Sequence, residues 1–434
     1  MSELGRVSGL SQEGAGVVAG EGKTVFVAGA LPGEQVSFER RRKHRQYDEA
    51  ALVEVIEAAP TRVTPRCSAF GVCGGCALQH MDPEAQLAAK HQQLVDALER
   101  IGKVEPREWF APLAGPVWNY RRRARLGSRY VHRKERSLVG FRERWSTYVT
   151  ATERCEVLAE PLDALITPLS GLVTALSIRE RLPQIEAALA DNVIALVLRV
   201  LEPPSEADVQ KLRDFEVQHG VRFLLQPGGL NSIAPLTPDL PALYYELPDW
   251  QLRMQFLPTD FIQVNGAINR ALVARAAELL QLDADSRLLD LYCGLGNFTL
   301  PLARRAGQVV GVEGEAGLVE RARGNAARNG ITHAEFHVAD LSQAPSPQLP
   351  WLKPSYSHVL IDPPRVGARA MLPAVAALQP QRLLYVSCHP GSLARDLGVL
   401  VNEFGFELLG AGVVDMFPHT AHVESLALLA PRQR

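Results

Sequence analysis

The sequence predicts an α/β protein in three parts: a doubly wound sheet over residues 256–434, an α+β region over 61–255 and a small β-barrel over 1–60. Three observations predict it. From about residue 256, apolar strand-like runs alternate with helical stretches in a βαβ rhythm. The first sixty residues are short β-rich runs broken by glycines. The stretch between them mixes helical spacing with isolated apolar runs and is bordered by proline-bearing loops.

The barrel strands lie in GAGVVAGEGKTVFVAG, LPGEQVSFERRR and YDEAALVEVIEAA, and the APTRVTPRC stretch, with Pro60 and Pro65, ends them. Small barrels of this kind often present one face to nucleic acid. In the middle region, Pro83–Ile101 has helical spacing through Leu87, Ala88, Leu94, Leu98 and Ile101, and this helix near 83–103 can pack on the C-terminal sheet. NVIALVLRVL and VRFLLQP are later strands of the same region. The C-terminal strands are RLLDLYC, QVVGVEG, AEFHVAD, SHVLIDPP, RLLYVSC, FELLGAGVVDMF and HVESLALLA, with helices at 268–281, 315–329, 369–378 and 391–403. A sheet so wound takes its ligands at the carboxyl ends of its strands.

A chain of 434 residues with 47% hydrophobic and 22% charged residues is an ordinary globular protein of two or three domains. The N-terminal MSELGRVSGL has no basic segment followed by an apolar one, and no run of about 18 apolar residues occurs, so a cytoplasmic protein without membrane contact is expected. Residues 39–47 and 119–144 hold fifteen Lys and Arg against three Glu, a local +12 that leaves −14 on the rest of a chain of net charge −2. Such a strip suits an RNA backbone, or is simply a solvated charged face.

DLYCGLGNFTL places an acid at a strand end, then Gly294 and Gly296, then a helix, so that backbone can approach a ligand closely. Glu313 ends the next strand, where a carboxylate accepts from ribose hydroxyls, and Asp340 ends the third, where it can accept from an adenine amino group. NAD and S-adenosylmethionine both need these features, but the glycines do not spell G-x-G-x-x-G. Asp362, in VLIDPPRVG, ends the fourth strand, Cys388, in YVSCHPG, ends the fifth, and Glu424 begins the last. A thiolate that adds to C6 of uracil turns the ring into an enolate nucleophilic at C5, and a base must later remove the C5 proton. Cys388 suits the first role and Glu424 the second. Cys293, in the glycine turn, fits a buried core cysteine better.

Together FIQVN (261–265), DLYCGLGNFTLP, DPPR, SCHP and HVES, in this order, resemble the bacterial RNA (uracil-5-)-methyltransferase family, and within it the branch acting on 23S ribosomal RNA. The resemblance covers essentially the whole chain. It implies a TRAM-like N-terminal barrel, a cysteine-bearing central domain and a class I (Rossmann-like) methyltransferase domain. It also implies that Gln263, Tyr292, Asn297, Glu313, Asp340 and Asp362 line an S-adenosylmethionine pocket, that Cys388 is nucleophile and Glu424 base, and that the product is 5-methyluridine. The expected partner is 23S rRNA with its uridine, conventionally number 1939, unpaired or flipped out, and the enzyme is expected to act as a monomer.

Cys67, Cys73 and Cys76, in a glycine-bearing loop, are joined by the distant Cys155. Four thiolates suit tetrahedral zinc or a [4Fe–4S] cluster, and spacing does not choose between them. The resemblance favours iron–sulfur; because methyl transfer is a polar reaction, the cluster is expected to fold the central domain and position its basic strip 119–144. Tyr120, Tyr130 and Phe141 interleave with the arginines of that strip and could stack on bases. The alternatives are methylation of another rRNA or tRNA uridine, an amino-group methyltransferase, and an RNA-binding assembly factor without turnover. Arg365 stands where an amino-group methyltransferase usually carries an aromatic residue, and a binding-only protein has no need of Cys388.

Overall fold

The computed structural model describes residues 2–19 and 22–432. Met1, Gly20, Glu21, Gln433 and Arg434 fall within the expected spans 1–60 and 256–434 and lie outside the described residues.

Five strands, β1 (Glu3–Leu10), β2 (Gly16–Ala19), β3 (Thr24–Ala28), β4 (Gln35–Lys43) and β5 (Tyr47–Glu57), close into a barrel in the order β1-β2-β3-β5-β4. Val7, Val18, Val25, Val27, Val36 and Phe38 fill it. β1 is not among the strands expected, because Gly5 and Gly9 interrupt its apolar alternation; pairing to both β2 and β4 holds it extended. The buried Glu34 carboxylate accepts from the amides of Leu31 (2.8 Å) and Ala59 (3.2 Å) and from Arg62, fixing the barrel to the chain that leaves it.

Helix α1 (Pro83–Ala97) begins with Asp82 capping the amides of Glu84 and Ala85 and runs on through a π-helical turn to Gly102. Its buried face differs from the expected stripe: Leu94 and Leu98 are buried, but Ala88 and Ile101 are exposed, and the polar Gln86 and Lys90 complete the buried face. Leu94, Ala97 and Leu98 join the core of the C-terminal sheet, and β6 (Glu108–Trp109) becomes a strand of that sheet.

The central sheet runs β12-β11-β10-β9-β7-β8, from β7 (Arg123–Val131), β8 (Arg136–Gly140), β9 (Gln184–Leu189), β10 (Ile194–Arg199), β11 (Val221–Gln226) and β12 (Ala234–Pro235). Helices α2 (Glu160–Asp163), α3 (Ile166–Ala175) and α4 (Glu206–His219) accompany it, and Leu126, Ile166, Leu169, Leu196, Leu212 and Phe223 form its core. The hairpin β13 (Leu243–Leu247) and β14 (Leu252–Phe256) instead buries Tyr245, Trp250 and Met254 in a core shared with the C-terminal helices.

The remaining elements are α5 (Gly266–Leu280), β15 (Arg287–Leu291), α6 (Thr299–Ala303), β16 (Gln308–Glu313), α7 (Ala316–Arg328), β17 (Ala334–Val338), β18 (His358–Ile361), α8 (Leu372–Ala377), β19 (Arg382–Ser387), α9 (Pro390–Asn402), β20 (Phe406–Val414) and β21 (Glu424–Pro431). The sheet order is β17-β16-β15-β18-β19-β21-β20-β6. β15 to β19 are parallel, and β21 lies antiparallel between β19 and β20. Runs such as QVVGVE, HVLI and RLLYVS are apolar inside their ends and buried on successive residues because helices cover both faces. The winding reverses between β15 and β18, which opens a crevice at their carboxyl ends. Among the described residues no helix is long and apolar enough to cross a membrane.

Candidate active site

The turn after β15 holds Tyr292, Gly294 and Gly296 at φ of 63°, 55° and 96°, the left-handed conformation that glycine adopts without strain. Glu313, the last residue of β16, accepts from the Gly294 amide (3.1 Å) and from Gly314 and Glu315, so turn and acid are locked together. Tyr292 donates to the Leu341 carbonyl (3.0 Å), and the nearby Asp340 accepts from the Ser342 hydroxyl and amide, which hold its carboxyl below the usual range. Asn297 faces another side: it exchanges two hydrogen bonds with Asn269 of α5 and accepts from the Tyr245 hydroxyl (2.8 Å). The Gln263 carbonyl oxygen is buried without a hydrogen-bond partner, beside Tyr245 and Asn269. A buried acceptor of this kind is a place for a ligand donor.

Asp290 is not a ligand-facing acid. It lies inside β15, fully buried, accepts from Thr299 (2.6 Å), and burial pushes its pKa up to about 8. Cys293 is buried against Gly311, as a core cysteine.

β19 and β21 pair Ser387 with Ser425 in antiparallel register. Cys388 and Glu424 are therefore the next residues opposite one another, where side chains of neighbouring strands meet at roughly 5 Å between Cβ atoms. Asp362 directly follows β18 and faces both of them. Burial pushes the Cys388 thiol up to about 11, assisted by the charges of Glu424 and Asp362 and opposed by Arg365. Burial likewise raises Asp362 to about 7 and Glu424 to about 8; Asp362 adds to the rise at Glu424, and Lys90 opposes it.

Lys90 comes from α1 and is 1% exposed. It donates to Asp415 (2.7 Å) and to the Phe417 carbonyl (2.9 Å), just beyond the paired residues Val414 and Glu424. Gln86, one turn earlier, donates to His419 Nδ1 and accepts from the His419 amide. The two polar residues buried on α1 thus hold the loop that leads into Glu424. Sequence reasoning missed Lys90, Gln86 and Asp415, since a polar residue at helical spacing reads as solvent-facing.

Cys67, Cys73, Cys76 and Cys155 are free and partly buried, and they lie within electrostatic reach of one another. Burial pushes Cys76 up to about 11 and Cys155 up to about 12. Among the described residues no three His, Cys, Asp or Glu side chains are gathered closely enough to hold a metal ion. The donor set is sulfur alone.

The basic segments are divided in use. Arg40 is bound to Glu3 and Asp48, Arg122 to Asp191, and Arg123 and Arg125 to Glu186. Tyr120 corrects the expected row of stacking rings: it is buried, with its hydroxyl on the Pro418 carbonyl (2.9 Å).

Residues 82–432 match the family described as tRNA (Uracil-5-)-methyltransferase. A Stenotrophomonas maltophilia protein named 23S rRNA (uracil(1939)-C(5))-methyltransferase RlmD is 48% identical over 98% of this chain and 96% of its own length. A protein of the same name from Methylococcus capsulatus is 49% identical over 97% and 95%. Among solved structures, the Pyrococcus abyssi tRNA (uracil-54, C5)-methyltransferase in complex with S-adenosyl-L-homocysteine shares the fold, with a TM-score of 0.76 over 99% of this chain and 100% of that one at 23% identity.

Proposed function

Because this chain belongs to the tRNA (uracil-5-)-methyltransferase family, we propose that it methylates C5 of a uridine in 23S ribosomal RNA, the uracil 1939 for which its relatives are named. The observation that carries the chemistry is that Cys388 and Glu424 stand one residue beyond the last paired rung of β19 and β21, Ser387 with Ser425, close enough for the Glu424 charge to act on the Cys388 thiol.

S-adenosylmethionine, when bound, supplies an electrophilic methyl group. The residues assigned to hold it are Gln263, Tyr292, Asn297, Glu313, Asp340 and Asp362, supported by the unpartnered Gln263 oxygen and the glycine turn locked to Glu313. Cys388 gives its thiol proton to solvent water and its sulfur adds to C6 of uracil; the C5–C6 π pair is delocalised through C4 onto its oxygen as an enolate, which makes C5 nucleophilic. Once C5 is methylated it carries both the new methyl group and its original proton. Glu424 takes that proton, the enolate forms again, and its collapse restores the C5–C6 double bond and expels the Cys388 thiolate. A uridine stacked in a helix cannot reach the sulfur, so the base arrives from a loop or flipped out.

The parts proposed are an RNA-binding barrel at 1–60, a central cysteine-bearing and RNA-binding domain at 61–255 and the methyltransferase domain at 256–434, acting as a cytoplasmic monomer. Cys67, Cys73, Cys76 and Cys155 are assigned to a [4Fe–4S] cluster. Four sulfurs around one zinc at about 2.3 Å stand roughly 4 Å apart. What supports the cluster over zinc is the resemblance to the family and a sulfur-only set of thiols that share one neighbourhood. The methyl transfer is polar, so the group is placed in folding and not in the reaction.

The test uses donor labelled in its methyl group, with unmodified 23S rRNA and tRNA transcripts offered together. Label in 5-methyluridine at one 23S position is expected; label in tRNA alone would overturn the substrate. RNA carrying 5-fluorouridine at the target has no removable C5 proton and should trap a covalent adduct with the wild type but not with Cys388→Ala. An adduct that survives Cys388→Ala would remove that residue as nucleophile.

A further inference from the structure

We propose that Trp145 and Tyr148 form a stacking platform for single-stranded RNA, flanked by Arg42 of the barrel and Arg129 of the central sheet. The proposal rests on RNA being the substrate and names the surface that grips it outside the reacting base.

Residues 142–149 form a tight hairpin. Arg142 and Val149 pair across it, the Glu143 amide donates to the Tyr148 carbonyl (2.9 Å), and Ser146 donates to the Glu143 carboxylate (2.7 Å). Trp145 is 44% exposed and Tyr148 58% exposed. Isolated exposed apolar residues are common on protein surfaces. Two aromatic rings on one eight-residue hairpin, each with a guanidinium over it, are a different matter. Arg42 lies 5.5 Å from the Trp145 ring centre and Arg129 lies 5.5 Å from that of Tyr148. The salt bridges that take up Arg40, Arg122, Arg123 and Arg125 leave these two exposed arginines out.

The charge around the rings selects the partner. Arg41, Lys43 and Arg45 continue the barrel edge, and Arg133, Lys134 and Arg136 continue the β7–β8 hairpin, all exposed. Rings that accept a base face, set among cations that accept phosphates, fit a polyanion with unpaired bases. A duplex keeps its bases stacked on one another and offers the rings nothing.

The hairpin is also wired to the active site. Its Arg142 carbonyl accepts from Gly74 (2.8 Å), its Arg144 amide donates to Val72 (2.9 Å), and the Arg144 guanidinium donates to the Cys76 carbonyl (3.0 Å). The next residues of that cysteine loop, Ala77 and Leu78, both donate to the His419 carbonyl, in the loop that leads to Glu424. RNA stacked on the hairpin is therefore held at a fixed offset from the reacting sulfur.

The experiment measures binding of the full-length protein to a labelled single-stranded RNA oligonucleotide and to its duplex, across a salt series. Trp145→Ala and Tyr148→Ala should each weaken single-strand binding by roughly 5- to 100-fold. Trp145→Phe and Tyr148→Phe keep a stacking face and should stay within about threefold of wild type, which separates stacking from misfolding. Arg42→Ala and Arg129→Ala should each flatten the slope of log affinity against log salt by about 0.7. Unchanged single-strand affinity in both alanine variants, or an equal loss for duplex and single strand, would overturn the platform. Either result can occur with methyl transfer to RNA intact, so it is distinguishable from failure of the proposed reaction.

Discussion

Cys388 and Glu424 stand one residue beyond the paired Ser387 and Ser425, and the proposed reaction sets them opposite requirements. The thiol must lose a proton as it adds to the base, whereas the carboxylate must already be ionised to receive one. Burial makes both charged forms costly, pushing the thiol up to about 11 and the carboxyl up to about 8. Lys90 is the cation that opposes the rise at Glu424; Asp362 facing from β18 works against it, and Asp415 neutralises part of the lysine charge. Removing the cation moves the Glu424 pKa upward. Lys90→Met should therefore carry the acidic limb of the pH–rate profile to higher pH. Activity near neutrality should fall about tenfold for every pH unit the limb travels, and recover in alkaline buffer. Lys90→Arg should keep the wild-type limb. Lys90→Met combined with Asp415→Asn relieves the unpaired buried aspartate; it should restore stability but not the profile, and a restored profile would make Lys90 merely structural. Cys388, Glu424 and Asp362 were legible in the sequence because strand ends in a doubly wound sheet face one crevice. Lys90 was not, because its partner Asp415 is 325 residues away in the chain.

At the scale of elements, α9 packs at Gly398 closely against Gly102, the last residue of the π-helical turn that follows α1. A Cβ on Gly398 would stand 2.7 Å from the Gly102 carbonyl oxygen, and one on Gly102 would stand 2.5 Å from that of Ala394. Backbone cannot yield as a flexible side chain does. Gly398→Ala should thus destabilise the protein by about 1–3 kcal/mol in urea unfolding, although alanine is the better helix former. Gly171, on the solvent side of α3, would place its Cβ in open space, and Gly171→Ala should be neutral or stabilise by up to about 1 kcal/mol. Equal effects at the two sites would exclude close helix packing as the cause. Elements of the C-terminal sheet were legible because burial on both faces leaves uninterrupted apolar runs. β7 was not: its sequence RARLGSRYV reads as a charge run, yet Ala124 and Leu126 point into the core while Arg125 and Arg129 face solvent. The helical spacing of α1 showed where a helix lies but not that its buried face includes Gln86 and Lys90, since only the loop at 415–419 makes polar residues favourable there.

Across the whole molecule, the barrel, the 142–149 hairpin and the loop that leads into Glu424 meet at the cysteine loop. Gly14 of the barrel packs on Ala77, Leu78 and Ala421; Gly74 and Val72 bond the 142–149 hairpin; Ala77 and Leu78 bond His419. The loop buries Ala69 and Leu78, but Cys67, Cys73 and Cys76 are partly exposed and Val72 is 53% exposed. The proposed cluster, bound by the four neighbouring thiols, would add a cross-link that holds these parts in register. Cys76→Ser should then abolish the visible absorption of an iron–sulfur cluster and speed hydrogen exchange at the amides of Gly74, Ala77, Leu78 and Arg144. It should also weaken single-stranded RNA binding, because the hairpin loses its anchor. Cys293→Ser, in the core beside the cofactor turn, should leave the absorption and these four amides unchanged. A Cys76→Ser protein with full amide protection and full RNA affinity would mean that hydrogen bonds alone hold the junction, and the four thiols would need another purpose.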